Sequence, residues 1–204
     1  MKLRLSTSLL LAATLFAASL ALAQTASPFS ADMKISGGRE GDVSGKMFFG
    51  GQKTRLEMNA AGHQSVMISD LPRRVMYMLM PQQQMYMEMH IDQMPGGQRD
   101  QWKPYDASNP CAGEAGATCK KVGSDLVNGR MCDKWLFSGG QGGNRTVWID
   151  QKSHIPIKSV HGDTTWELLN IKEGPQPASL FEVPSGYQKM DMGGMGGMMR
   201  QRPH

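Results

Sequence analysis

RRVMYMLMPQQQMYMEMH, residues 73–90, is the stretch that decides the fold. Met76, Met78 and Met80 alternate with Val75, Tyr77 and Leu79 before PQQQ, and Met85, Met87 and Met89 alternate with Tyr86 and Glu88 after it. A period of two belongs to a β-strand, whose successive side chains point to opposite faces. With its tip at Gln82 and Gln83 the segment closes as an antiparallel hairpin, pairing Met80 with Met85, Met78 with Met87 and Met76 with Met89. A slip of one residue would oppose methionines to Tyr or Leu positions, so the pattern selects one register. Both faces of this hairpin are apolar, and each calls for a cover.

Outward from the hairpin, the same alternation predicts a meander on either side. Residues 28–36, 43–49, 53–59 and 65–69 read as four strands, parted by turn residues at 37–42, Gly50-Gly51 and 60–63, with Asp70-Leu71-Pro72 breaking the fourth. From Ile91 to Thr118 the alternation is lost, and a loop this long inside a domain is expected to be functional, a lid, or the host of a short helix, pinned by Trp102 and Tyr105. Asn128-Gly129 is the strongest short turn signal and predicts a hairpin of 120–127 with 130–137. Strands over 144–149, 155–160 and 164–171 complete a second meander, and a Pro-initiated turn of helix is expected around Ala178 to Phe181. The expected fold is mainly β: about eleven strands in a strongly curved antiparallel sheet, an incomplete barrel with little helix.

The ends of the chain differ from its middle. Residues 1–23 have basic Lys2 and Arg4, an apolar run and a small-x-small end at Ala21 and Ala23, the composition of a secretory signal peptide. No cysteine follows the run where a lipid-anchored precursor would need one, so the expected product is a soluble, exported monomer in the periplasm or medium, with no transmembrane segment once the signal is cleaved. Cleavage after Ala23 leaves 181 residues, of which 24–189 are expected as one β domain. Residues 190–204, methionines among glycines with no means of building a core, are expected to be disordered.

Without Lys2 and Arg4, 20 basic residues face 18 acidic ones, and no basic run is interleaved with aromatics. Nucleic acid is therefore not an expected partner. Export to an oxidising compartment makes a disulfide among Cys111, Cys119 and Cys132 expected. The Asn-Gly turn sets Asp125, not Cys119, opposite Cys132. Cys111 with Cys119 is the favoured pair, with Cys111 to Cys132 the alternative. A zinc site would want a closer cysteine pair than these spacings offer.

The run TVWIDQKSHIPIKSV (146–160), followed by LLNIKEGPQPASLFEVPSGYQKM (168–190), resembles the closing portion of the LolA/LolB-like superfamily of periplasmic lipoprotein carriers. MISDLPRRVMYMLMPQQQMYMEM (67–89) more specifically resembles a bacterial family of exported proteins of unknown function placed in that superfamily. The resemblance implies a curved antiparallel sheet whose concave side is apolar, covered by a lid, and able in the carriers to hold acyl chains. Little helix lies between the strands here, which departs from the carriers and leaves residues 91–117 as the candidate lid.

Three uses of the methionine face follow. Methionine can simply fill an irregular core. A face of thioethers can also repack around different apolar ligands, which makes Met76, Met78, Met80, Met85, Met87 and Met89 the candidate site for lipid, an acyl chain or a lipidated protein. Thioethers suit copper or silver as well, but same-face neighbours on one strand stand about 6.5–7 Å apart. The soft-metal alternative therefore falls on the tail, Met190, Met192, Met195, Met198, Met199 and His204. No cofactor is expected. His63, His90, His154 and His161 are scattered, no nucleophile elbow or phosphate loop occurs, and Asp70 and Asp150 sit where turns begin, so no catalysis is expected.

Overall fold

A computed structural model of the chain describes residues 27–38, 41–60, 62–93, 109–112, 114–140 and 142–190. The signal-like segment, most of the long loop including Trp102 and Tyr105, and residues 191–204 lie outside the described residues.

The alternating stretches become strands. β1 (Phe29–Ser36), β2 (Val43–Phe49), β3 (Lys53–Ala60), β4 (His63–Asp70), β5 (Val75–Met80) and β6 (Met85–His90) form the first meander. β7 (Ala117–Val127), β8 (Arg130–Gly139), β9 (Arg145–Asp150), β10 (Pro156–His161) and β11 (Thr164–Glu173) form the second. β1 pairs antiparallel with both β2 and β11 and so welds the two into one sheet, ordered β12-β6-β5-β4-β3-β2-β1-β11-β10-β9-β8-β7. The sheet is open at both ends. A twelfth strand, β12 (Gln188–Lys189), adds two residues parallel to β6 and is the one strand beyond the expected eleven.

Curvature has local causes. Register breaks between Ser30 and Asp32 on β1 and between Pro156 and Lys158 on β10, and extra residues of this kind bend a strand and increase its twist. The second break sits at a proline, which has no amide to give a ladder. Asn128 and Gly129 turn the chain with φ of 50° and 77°, the left-handed region that a two-residue hairpin turn demands. That turn reaches back across the sheet: Asn128 Nδ2 donates to the Leu168 carbonyl of β11 at 3.0 Å, and Arg130 pairs with Glu173 of β11 at 2.9 Å. A flat sheet would hold β8 and β11 about 14 Å apart, so the end is rolled.

Three apolar clusters hold the described residues together. Phe29, Ala31, Met33 and Leu168 form the first with Cys132, Ile155 and Ile157. Phe137, Val147 and Ile149 form another beside the Cys111–Cys119 disulfide, whose Cα atoms lie 5.9 Å apart. The favoured cysteine pairing is thus the one found, and Asp125 is the residue opposite Cys132. Cys132 is buried, and burial with the nearby Asp150 carboxylate pushes its thiol up to about 11, so it stays a neutral core residue. The third cluster, Val66, Ile68, Val75, Tyr77 and Leu79, is closed by Phe181.

Phe181 belongs to a strap formed by residues 174–190. After β11 this segment makes a 3-10 turn, Ala178–Phe181, with Pro177 just before it. It lays Leu180, Phe181, Val183 and Tyr187 over β4–β6 and ends as β12, where Gln188 and Met190 donate to the carbonyls of Gln84 and Tyr86, each at 2.8 Å. Arg55 Nη1 holds the strap by donating to the Leu180 carbonyl at 3.1 Å. The ring of Phe181 lies where a side chain on Gly50 would be, 2.8 Å from a Cβ built there, so only glycine admits it.

Asp70 and Asp150 are turn residues, as their positions suggest. Asp70 accepts from the Arg73 amide and pairs with Lys53 at 2.9 Å. Asp150 accepts from the Ser153 amide at 2.9 Å, from the Ser153 hydroxyl, and from Arg130 at 3.0 Å. Burial pushes the Asp150 carboxyl up, but the Ser153 bonds and the Arg130 charge outweigh it and hold the group below its ordinary 3.8. A depressed folded value means stability that is present above 3.8 and is lost as pH falls through the folded value.

Two outcomes are expected. Asp150→Asn should cost about 1–3 kcal/mol at neutral pH by removing one of the two carboxylates that hold half-buried Arg130, Glu173 remaining, and should flatten the acid limb of stability measured by urea unfolding across pH. Phe181→Ala should cost about 3–5 kcal/mol and should speed amide exchange at Gln188 and Met190 ahead of the sheet.

Candidate functional site

The hairpin has the register its sequence selects: Met76 faces Met89, Met78 faces Met87 and Met80 faces Met85. Directly opposed residues share a face, so the ladders extend these pairs inward strand by strand. The central row runs Met47, Leu56, Met67, Met78, Met87 across β2 to β6. Phe49, Thr54, Ser69, Met76 and Met89 make the row on one side of it. In β1 the same face carries Phe29, Ala31 and Met33, opposite Phe49, Met47 and Gly45.

This methionine face is dry in two places and half-wet between them. Phe29, Ala31 and Met33 are buried, as is Met76 at one end of the hairpin, whereas Met47, Leu56, Met67, Met78, Met80, Met85, Met87 and Met89 are only half-buried. None of the six hairpin methionines belongs to a packed cluster among the described residues. The sequence brings them together on one face as expected; five of the six keep contact with solvent.

The opposite face is divided. Over β4–β6 it is apolar and lies under the strap, with Tyr77 and Tyr86 edge to face at 6.1 Å. Over β1–β3 it is polar: Asp32, Lys46 and Glu57 stand in one row across the strands, and Lys34, Ser44 and Asn59 in the next. A groove of about 800 Å³ opens there, bounded at its strap end by Val66 and Tyr187. Its charges are largely matched from within, Arg55 to Glu57 at 2.7 Å and Lys34 to Asp42 at 3.7 Å, while Asp32 accepts from Asn170 at 2.8 Å. Such a surface suits neither a bare anion nor a bare cation. Single-strand reading missed it, because its members come from five strands; the signal was the run of charged residues on the outward positions of β1, β2 and β3.

Of the metal candidates, Met190 ends the strap beside Tyr86, and Met192, Met195, Met198, Met199 and His204 lie outside the described residues. His63 opens β4, His90 ends β6, His154 lies in the β9–β10 turn and His161 ends β10. Among the described residues no three His, Cys, Asp or Glu side chains converge as a metal ion would require, and no helix is long and apolar enough to cross a membrane.

Comparison with known proteins places the fold. An uncharacterised conserved protein from Thermus thermophilus is similar over 82% of this chain and 91% of its own, with a TM-score of 0.59 at 11% identity. MucB, solved in complex with MucA(peri), is similar over 83% of this chain with a TM-score of 0.51 at 10% identity, and this chain spans 59% of the MucB chain. A LolA superfamily protein from Nitrosomonas europaea also aligns, over 78% of this chain and 90% of its own, at 8% identity and a TM-score of 0.35, an overlap too loose to argue from. Such identities establish a shared curved-sheet fold and nothing finer. No curated protein matches the chain in sequence. One family model does match, over residues 30–153, from β1 through the β9–β10 turn, and by it the chain belongs to the family described as a domain of unknown function, DUF4412.

Proposed function

We propose that this chain is an exported, non-catalytic binding protein whose methionine face takes an acyl chain, either of a lipid or of a lipidated partner protein. The observation that carries the reading is the half-buried row Met47, Leu56, Met67, Met78, Met87, five strands wide on the face away from the strap. An aliphatic or thioether side chain left partly in water forgoes stabilisation that a hydrocarbon partner would restore, at roughly 0.8 kcal/mol for each methylene buried. Ten methylenes would thus return about 8 kcal/mol before ordering costs, which suits reversible carriage rather than permanent anchorage.

Methionine is the residue type for that task. Three rotatable bonds and a polarisable sulfur let it repack around chains of different length, where leucine or isoleucine would hold one shape. MucB, of whose chain this one spans 59%, is solved with MucA(peri), so a protein partner has a precedent in a protein that contains this fold. The signal-like start and the Cys111–Cys119 bridge agree with export to an oxidising compartment.

Protein purified from the periplasm of its own host should carry acyl lipid detectable by mass spectrometry of an organic extract. The double variant Met78→Asp, Met87→Asp should carry at least about ten-fold less while keeping a native β circular-dichroism spectrum, since two charges would have to be desolvated beneath the chain. A lipid-free native protein, or a charged variant as loaded as the native one, would contradict the reading.

A further inference from the structure

Ser69 is out of place on the methionine face. It sits in β4, opposite Thr54 of β3 and Met76 of β5, so its side chain points to the same side as the hairpin methionines. The residue is 3% exposed, and its hydroxyl is the one buried side-chain oxygen or nitrogen among the described residues with no hydrogen-bond partner. Met76, beside it, is 6% exposed. A buried hydroxyl without a partner is a standing cost to the fold, and alanine would fill the same place without it. The neighbouring Asp70, pointing to the other side, is by contrast satisfied by Lys53 and the Arg73 amide.

A serine hydroxyl is small, rotates freely and can donate or accept, so its missing partner must come to it. Thr54 opposite it and Ser65 further along β4 also carry hydroxyls, yet neither reaches Ser69; the rest of the face is thioether and hydrocarbon, so the partner that can arrive is a polar group embedded in an apolar molecule. We infer that Ser69 Oγ is the polar anchor of the methionine face and that the ligand bears a carbonyl beside its hydrocarbon chain, as in an acyl ester or amide, to which Ser69 donates. This rests on the acyl-chain reading above and narrows it: a plain hydrocarbon would fill the face and leave the hydroxyl unpaired. Selectivity of this kind is strong because the site is penalised whenever the matching group is absent.

The test uses the full mature chain, with an apolar fluorophore, N-phenylnaphthylamine, displaced by monopalmitoylglycerol or by hexadecane. Ser69→Ala should weaken monopalmitoylglycerol about ten-fold and leave hexadecane within about two-fold of the native value. Ser44→Ala, on the opposite face, should change neither. The melting temperature of unliganded Ser69→Ala should equal or exceed that of the native protein, because no internal bond is lost. Equal weakening of both probes, an unchanged affinity for the ester, or a marked fall in melting temperature would each overturn the anchor. If the native protein binds neither probe, the acyl-chain reading fails along with it; if it binds both and the variant does too, only the anchor fails.

Discussion

A strand pair that is apolar on both faces cannot rest in water, and much of this molecule follows from that constraint at β5 and β6. One face, built on Val75, Tyr77 and Leu79, is covered by the chain's own C-terminal strap, with Phe181 seated over Gly50 and Arg55 gripping the Leu180 carbonyl. The other, built on six methionines, continues through Met67, Leu56 and Met47 into the buried core at Phe29 and Met33. The two covers are unequal. Burial on the strap side is complete at Ile68 and nearly so at Leu79, while the central methionine row stays half-open. Among the described residues one face is thus covered by the chain itself, and the other is the face on which the proposed binding function rests.

The way the sheet is put together makes that asymmetry possible. Pairing β1 with β11 joins two meanders into a single long sheet, and the register breaks in β1 and β10 bend it. The roll at the far end, fixed by Asn128 and Arg130 on β11, gives the apolar residues of β1 a deep core to join. Phe29 and Met33 of β1 are dry, the central row from Met47 to Met87 is half-buried throughout, and Ser69 and Met76 make a second dry spot on β4 and β5.

Much of this was legible in the residues. The methionine register followed from alternation with a turn tip at Gln82 and Gln83, because a one-residue slip would mix the two faces, and the Asn-Gly turn placed Asp125 against Cys132, which disfavoured a Cys119–Cys132 bridge and left Cys111–Cys119, the favoured pair and the one found, beside Cys111–Cys132. Strand limits were read within a few residues wherever Gly, Pro or Asp-Gly-type turns punctuated them; β4 and β7 run longer because His63, Gln64 and residues 117–119 pair with neighbours that local pattern does not reveal. What escaped was non-local. Nothing in QPASLFEVPSGYQK says that it crosses three strands and ends as a parallel β12, since a two-residue strand has no periodicity to read. The polar groove and the isolation of the Ser69 hydroxyl escaped for the same reason, each being a property of neighbours supplied by other strands.

The central claim is that hydrocarbon lies along the methionine row, and methyl groups report that directly. Protein carrying ¹³C-methyl methionine, titrated with monopalmitoylglycerol, should show saturable shifts in the Met67, Met78 and Met87 resonances, while buried Met33 stays in place. Shifts confined to Met33 or to the tail methionines, or none at saturating lipid, would contradict the account.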